Sequence, residues 1–256
     1  AQYNNDLNRR KGMSGEYYFF YLLISLVAFL YSSVGHGGAS GYLALMAIFS
    51  FPSDMMKQTA LLLNLFVAGI AFYQYYKMGY FNKRLFIYFA LGSVPAAYLG
   101  GLLSLDLWLY KKVLGVILFF AILRMLFKRE VTDSKIKKVP IIVAIFTGVI
   151  IGVFSGLIGI GGGIILTPVI LLFHWGNMKE AAAVSALFIW VNSLSGLLGQ
   201  LSSGVNFTTN TFVLVSIALA GGLFGSYYGS QRWNNRILEY FLAFVLTLAG
   251  IKLILI

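Results

Sequence analysis

Two clusters of glycine, one in each half of the chain, interrupt sequence that is otherwise almost continuously apolar. They read Gly35-His36-Gly37-Gly38-Ala39-Ser40-Gly41 and Gly159-Ile160-Gly161-Gly162-Gly163. Each glycine costs an α-helix about 1 kcal/mol relative to alanine, so clusters this dense predict breaks in helices. In hydrocarbon, backbone N–H and C=O groups freed by a break are tolerated where they contact protein or line a polar cavity. The clusters therefore predict two polar sites built from main chain.

The composition is that of a polytopic membrane protein. Of 256 residues, 59% are hydrophobic and only 11% are charged, whereas soluble domains carry roughly 25% charged residues. The 19 Lys and Arg residues lie mostly at the ends of apolar segments, where they anchor cytoplasmic loops, so the net charge does not indicate nucleic-acid binding. The absence of cysteine from the sequence excludes thiol chemistry. We expect an all-α protein of the cytoplasmic membrane, with no cofactor or metal.

Ten apolar segments can be distinguished along the chain. They cover residues 17–34, 39–51, 58–76, 84–103, 108–127, 139–158, 162–175, 180–200, 211–230 and 236–256. The second member of each set of five is short: about 13 residues of helix reach roughly 20 Å, less than the ~30 Å hydrocarbon core. We expect these two segments to be half-helices or re-entrant elements.

The two sets of five resemble each other, which indicates an internal duplication. Glycine-containing landmarks recur in the same order, such as Gly92 and Gly100 against Gly221 and Gly229. These scattered glycines predict close packing between helices. Because each half has an odd number of net crossings, the second repeat is inverted, as in many transporters.

This organisation predicts four regions. They are a polar N-terminal tail (1–16), a first transmembrane repeat (17–127), a basic cytoplasmic linker (128–138) and a second transmembrane repeat (139–256). With the linker inside, most basic residues lie on the cytoplasmic side and both termini lie outside.

A helix that starts at a glycine break directs several N–H groups and roughly half a positive charge into the bilayer centre. Two such ends predict an anion site that needs no buried lysine or arginine. We expect polar side chains on neighbouring helices to assist, with Asn64 and Ser185 at corresponding positions. The predicted substrate-binding residues are Gly35, His36, Gly37, Gly38, Ala39, Ser40, Asn64, Gly159, Gly161, Gly162, Gly163, Thr167 and Ser185.

His36 is the titratable residue of the first cluster, and Ile160 occupies the equivalent place in the second. Histidine is the side chain best suited to carry a proton near neutral pH. A neutral histidine that donates to a freed carbonyl would instead be structural. The sequence is compatible with both roles.

On these motifs the chain resembles the sulfite-exporter TauE/SafE family of membrane proteins. The resemblance rests on the Gly-x-Gly-Gly-Gly cluster followed by Pro168, on its degenerate first copy, and on the segments Ala60 to Asn64 and Ala181 to Ser185. The resemblance implies a secondary transporter for a small anion such as sulfite or a sulfonate, usually moved outward. Its partners would be that anion and the lipid bilayer.

Two other functions compete with this interpretation. The residues around Ser40 read Gly-x-Ser-Gly, which is compatible with an intramembrane serine protease that takes a histidine as its base. An anion channel would share the predicted site and lack alternating access.

Overall fold

The computed structural model describes residues 2–103, 136–201 and 209–232, with isolated positions in the two gaps, and describes side chains from Tyr18 onward apart from 53, 54, 168, 172 and 209. These residues form eight helices. They are α1 (Gln2–Ser33), α2 (Ala39–Ile48), α3 (Ser53–Lys77), α4 (Lys83–Leu102), α5 (Ile141–Ile158), α6 (Gly163–Leu172), α7 (Met178–Leu201) and α8 (Thr209–Gln231).

Five of the described helices are long and apolar enough to cross a membrane, namely α3, α4, α5, α7 and α8. The prediction of an all-α, multi-pass membrane protein is thereby confirmed. The short second segments are also present, because α2 and α6 contain 10 residues each. The polar tail is the beginning of α1, which starts at Gln2. The segments predicted at 108–127 and 236–256, and most of the linker, lie outside the described residues.

Both glycine clusters break the helix, as the sequence predicts. α2 begins after Gly38, whose φ is 96°, and α6 begins after Gly162, whose φ is 78°. α5 ends at Gly159, with φ 87°. A left-handed backbone at these positions favours glycine because a Cβ would clash with the main chain.

The helices pack in two matching sets. α4 packs along α5 as α1 packs along α8, α4 contacts α7 as α8 contacts α3, and α2 lies on α3 as α6 lies on α7. α3 and α7 contact each other at the centre. If α1–α4 are matched in order to α5–α8, each of these helix contacts has a counterpart in the other set. The contact between α3 and α7 is its own counterpart.

α3 and α7 run in opposite directions. Lys179, in the first turn of α7, donates to the Tyr80 hydroxyl (3.3 Å), which lies just beyond the end of α3. In the other direction, Ser193 in the second half of α7 meets Asn64 in the first half of α3. The two central helices are therefore antiparallel.

Glycines let the paired helices approach backbone to backbone. A Cβ on Gly92 or Gly100 would meet the α5 carbonyls of Ile145 or Val153, and one on Gly156 would overlap the carbonyl oxygen of Ala97. Gly221, Gly225 and Gly229 of α8 face carbonyls of α1 in the same way. The scattered glycines thus have the packing role that the sequence predicts.

Gly156→Ala should destabilise the protein. Overpacking a close contact costs about 1–3 kcal/mol, which exceeds the gain of about 1 kcal/mol from placing alanine in a helix. We expect a lower melting temperature of the detergent-solubilised protein. Gly69→Ala is the matched control: its Cβ would meet only the edge of the Trp190 indole, at 3.2 Å. An equal loss of stability in both variants would contradict the packing argument.

Candidate functional site

The two glycine breaks meet between α3 and α7. A Cβ on Gly161 would lie 2.6 Å from Asn64 Nδ2 and 2.8 Å from Ile189 Cγ2. A Cβ on Gly37 would overlap Asn64 Oδ1 and lie 3.0 Å from the same Ile189 carbon. Asn64 and Ile189 therefore both lie between the two breaks, one polar and one apolar.

Asn64 holds the start of α2 from another helix. Its Oδ1 accepts the N–H of Ala39 (3.1 Å), and its Nδ2 donates to Ser193 Oγ (3.3 Å). Both Asn64 and Ser193 are fully buried. Because the preceding residue is Gly38, which has no side chain to cap the helix, the cap comes from α3 instead.

His36 connects the first break to the second. Its Nε2 lies 3.2 Å from Gly163 O and 3.1 Å from Thr167 Oγ1, and its Nδ1 lies 3.1 Å from Val34 O. Thr167 in turn donates to Ser185 Oγ (2.7 Å). The imidazole, two hydroxyls and the main chain of α6 thus form one buried network.

Ser40 belongs to a separate group of hydroxyls. Its Oγ lies 2.6 Å from the Tyr31 hydroxyl, so α1 and α2 are joined across the break by this hydrogen bond. The hydrogen bonds of His36 run to Val34, Gly163 and Thr167 instead.

The predicted site residues therefore fall into four groups. Asn64 contacts Gly37, Ala39 and Gly161; His36 contacts Gly163 and the Thr167–Ser185 pair; Ser40 pairs with Tyr31; and Tyr42 packs over Gly38. The outer glycines pack elsewhere. Gly35 lies against Ala182 in α7, and Gly159 lies against Lys57 in α3.

The start of α2 differs from the expectation in one respect. The sequence predicts N–H groups left open for an anion, whereas the Ala39 N–H is bonded to Asn64. The physical reason is that an unpaired buried donor costs about 1–3 kcal/mol, so the fold supplies a partner. An anion that binds the Ala39 N–H would have to replace this acceptor.

Two lysines take positions that sequence analysis did not single out. Lys57 in α3 donates to Leu103 O (3.0 Å) and Gly101 O (3.4 Å) at the end of α4. Lys179 in α7 donates to Ser230 O (3.1 Å) at the end of α8. Cations are favourable at helix carboxyl ends. The sequence contains a signal for this pair of lysines, because each central helix has a lysine three residues before an alanine near its start.

Comparison with known proteins identifies the family. The chain matches the family model "Sulfite exporter TauE/SafE" over residues 20–253, so it belongs to this family of membrane transporters and is not an enzyme. No solved structure matches it.

Curated relatives are described in the same terms. The probable membrane transporter protein y4hK of Sinorhizobium fredii is 37% identical over 235 residues, which cover 90% of this chain and 94% of the relative. The probable membrane transporter protein YjnA of Bacillus subtilis is 25% identical over 89% of this chain and 96% of its own length. The probable membrane transporter protein MJ0441 of Methanocaldococcus jannaschii is 29% identical over 59% of this chain and 57% of its own length.

Membership of a transporter family rules out the serine protease, and the geometry agrees. A serine nucleophile needs a base within hydrogen-bond reach. Ser40 Oγ is bonded to Tyr31, while both ring nitrogens of His36 face main-chain carbonyls.

Asn64→Ala should lower the stability of the protein markedly, because it leaves the buried Ala39 N–H without an acceptor and opens the contact between the two breaks. We expect a loss of about 1–3 kcal/mol, read as a lower melting temperature. Asn192→Ala is the matched control. Asn192 is equally buried, yet within the described part of the chain its Nδ2 bonds only to Phe188 O, one turn away in its own helix (2.8 Å). If both variants have the same melting temperature, Asn64 does not have the bridging role assigned to it.

Proposed function

We propose that this protein is a secondary transporter that exports a small sulfur-containing anion, such as sulfite, sulfoacetate or a related sulfonate, across the cytoplasmic membrane. The observation that carries this proposal is the meeting of two glycine breaks on one buried amide, Asn64, at the start of α2. The name of the family, sulfite exporter, supports the choice of anion.

The chemistry of the cluster suits an anion. The start of α2 carries the positive end of a helix dipole, and the side chains around the breaks offer hydroxyl, amide and imidazole groups. Acidic side chains are missing from the hydrogen bonds described for this cluster. None of these groups carries a permanent positive charge, so the site can release the oxyanion again, as transport requires.

Export follows from the membrane potential. With the cell interior negative, an outgoing anion gains about 2.3 kcal/mol per charge per 100 mV. A carrier can use this gradient without hydrolysing ATP. The outward direction and the cytoplasmic membrane both belong to this proposal.

Alternating access between two inverted repeats is the proposed mechanism. It is supported by the matching contacts of α1–α4 and α5–α8, and by the antiparallel course of α3 and α7. Lys57 and Lys179 add to this support, since each ties a central helix to the carboxyl end of its neighbour at opposite ends of α3. In inverted-repeat transporters, one half rocks against the other around a central site.

Proton coupling through His36 is part of the same proposal. Thr167 uses its hydroxyl proton on Ser185 and so faces Nε2 as an acceptor, and Val34 O is an acceptor at Nδ1. Only the doubly protonated imidazolium donates from both nitrogens. A bound anion would stabilise that charge in the protein interior.

Transport is tested with purified protein in liposomes. Sulfite, thiosulfate, sulfate, sulfoacetate and taurine are first ranked by thermal shift, because a ligand of the folded state raises the melting temperature. The best anion should then show saturable flux that is stimulated by the same anion on the opposite side. Asn192→Ala should retain this flux. If the protein conducts the anion and the anion on the opposite side does not stimulate flux, the protein is a channel and the proposal of a carrier is wrong.

His36→Gln should abolish the pH dependence of uptake. Glutamine keeps hydrogen-bonding groups at this position but cannot titrate, so uptake by the variant should be nearly flat between pH 5 and pH 8, the range in which histidine ordinarily titrates. The measurement is initial uptake rate against pH in liposomes. An unchanged pH profile would show that protons do not enter through His36.

A further inference from the structure

We propose that the hydroxyl of Tyr42 is a ligand of the transported anion at the start of α2, and that Tyr31 and Ser40 complete a hydroxyl shell around it. This inference rests on the proposed function and names the donors of its site. Sequence analysis did not single out Tyr42.

Tyr42 is the feature that points to a ligand. Its side chain is fully buried, and its hydroxyl has no hydrogen-bond partner within the described part of the chain. Buried tyrosine hydroxyls usually find a partner, because an unpaired one forfeits its hydrogen bonds to water. Phenylalanine would fill the same space without that loss. A hydroxyl that the fold leaves unsatisfied therefore needs another explanation.

The Tyr42 hydroxyl lies directly against the glycine break. A Cβ on Gly38 would be 2.7 Å from both Cζ and Oη of Tyr42. Long side chains in a helix lean toward its N-terminus, so the ring of the fourth residue of α2 covers the residue that caps it. Glycine at position 38 thus serves two needs, the left-handed backbone and the space for the phenol.

Further hydroxyls line the same helix start. Tyr31 lies against Gly41 in the first turn of α2, where a Cβ on Gly41 would be 2.9 Å from its ring, and its hydroxyl is 2.6 Å from Ser40 Oγ. The Tyr31–Ser40 pair has two hydroxyl protons and uses one between its members. Together with Tyr42, the group has more donors than it consumes internally. An anion with several oxygen atoms, such as a sulfite or sulfonate group, supplies the acceptors that are missing.

The other break lacks this shell. The first four residues of α2 are Ala39-Ser40-Gly41-Tyr42, whereas those of α6 are Gly163-Ile164-Ile165-Leu166. The two helix starts are thus chemically unequal. The anion binds at α2, and α6 contributes its contact with His36.

Tyr42→Phe tests the proposal in the full-length protein in detergent. The anion is the one that shifts the wild-type melting temperature most in the panel above, and its affinity is measured by titration of that shift. We expect affinity to fall by about tenfold or more, as for the loss of a hydrogen bond to a charged group. The melting temperature without anion should stay the same or rise, because an unpaired buried hydroxyl is removed.

Tyr75→Phe is the matched control. Tyr75 is as buried as Tyr42, but its hydroxyl donates to Ser33 O (2.8 Å). This variant should melt at a lower temperature and keep the wild-type affinity. If Tyr42→Phe also melts lower and binds the anion as tightly as wild type, the proposal for Tyr42 is wrong while the transport function stands. If wild-type protein responds to no anion, the proposed function itself fails.

Discussion

The structure depends on how main-chain groups at two helix breaks find partners inside a membrane. Each break frees N–H and C=O groups that water cannot reach, and each such group left alone costs several kcal/mol in hydrocarbon. At the first break, Asn64 supplies the missing partner, because its side-chain oxygen accepts a hydrogen bond from the Ala39 N–H. Asn64 also contacts glycines of both breaks. The same amide donates to Ser193 and so links α3 to α7 at the centre of the molecule.

Glycine has two different uses in this chain. In the breaks, Gly38, Gly159 and Gly162 supply left-handed backbone. In the long helices, glycine removes the side chain so that α4 meets α5 and α1 meets α8 at main-chain distance. Helices in a membrane gain little from hydrophobic burial and are held together by close packing. The packing glycines therefore hold together the long helices that surround the two breaks.

Local sequence was sufficient to predict the breaks and the short helices, because helix propensity and hydropathy act over a few residues. Partners distant in sequence could not be predicted. Ser40 suggested a nucleophile, whereas its hydroxyl pairs with Tyr31, and no motif indicated that Ile189 lies beside both breaks. The unpaired state of Tyr42 is a property of everything packed around it, which no motif encodes.

The hydrogen bonds of the site are of two kinds. Tyr31 with Ser40 (2.6 Å) and Thr167 with Ser185 (2.7 Å) are hydroxyl pairs that each lie within one half of the chain. The side-chain nitrogens of His36 and Asn64 reach across to the other half instead, to Gly163, Thr167 and Ser193 (3.1–3.3 Å). If the two halves rock against each other as proposed, the hydroxyls at α2 would travel with their own half as a preassembled unit.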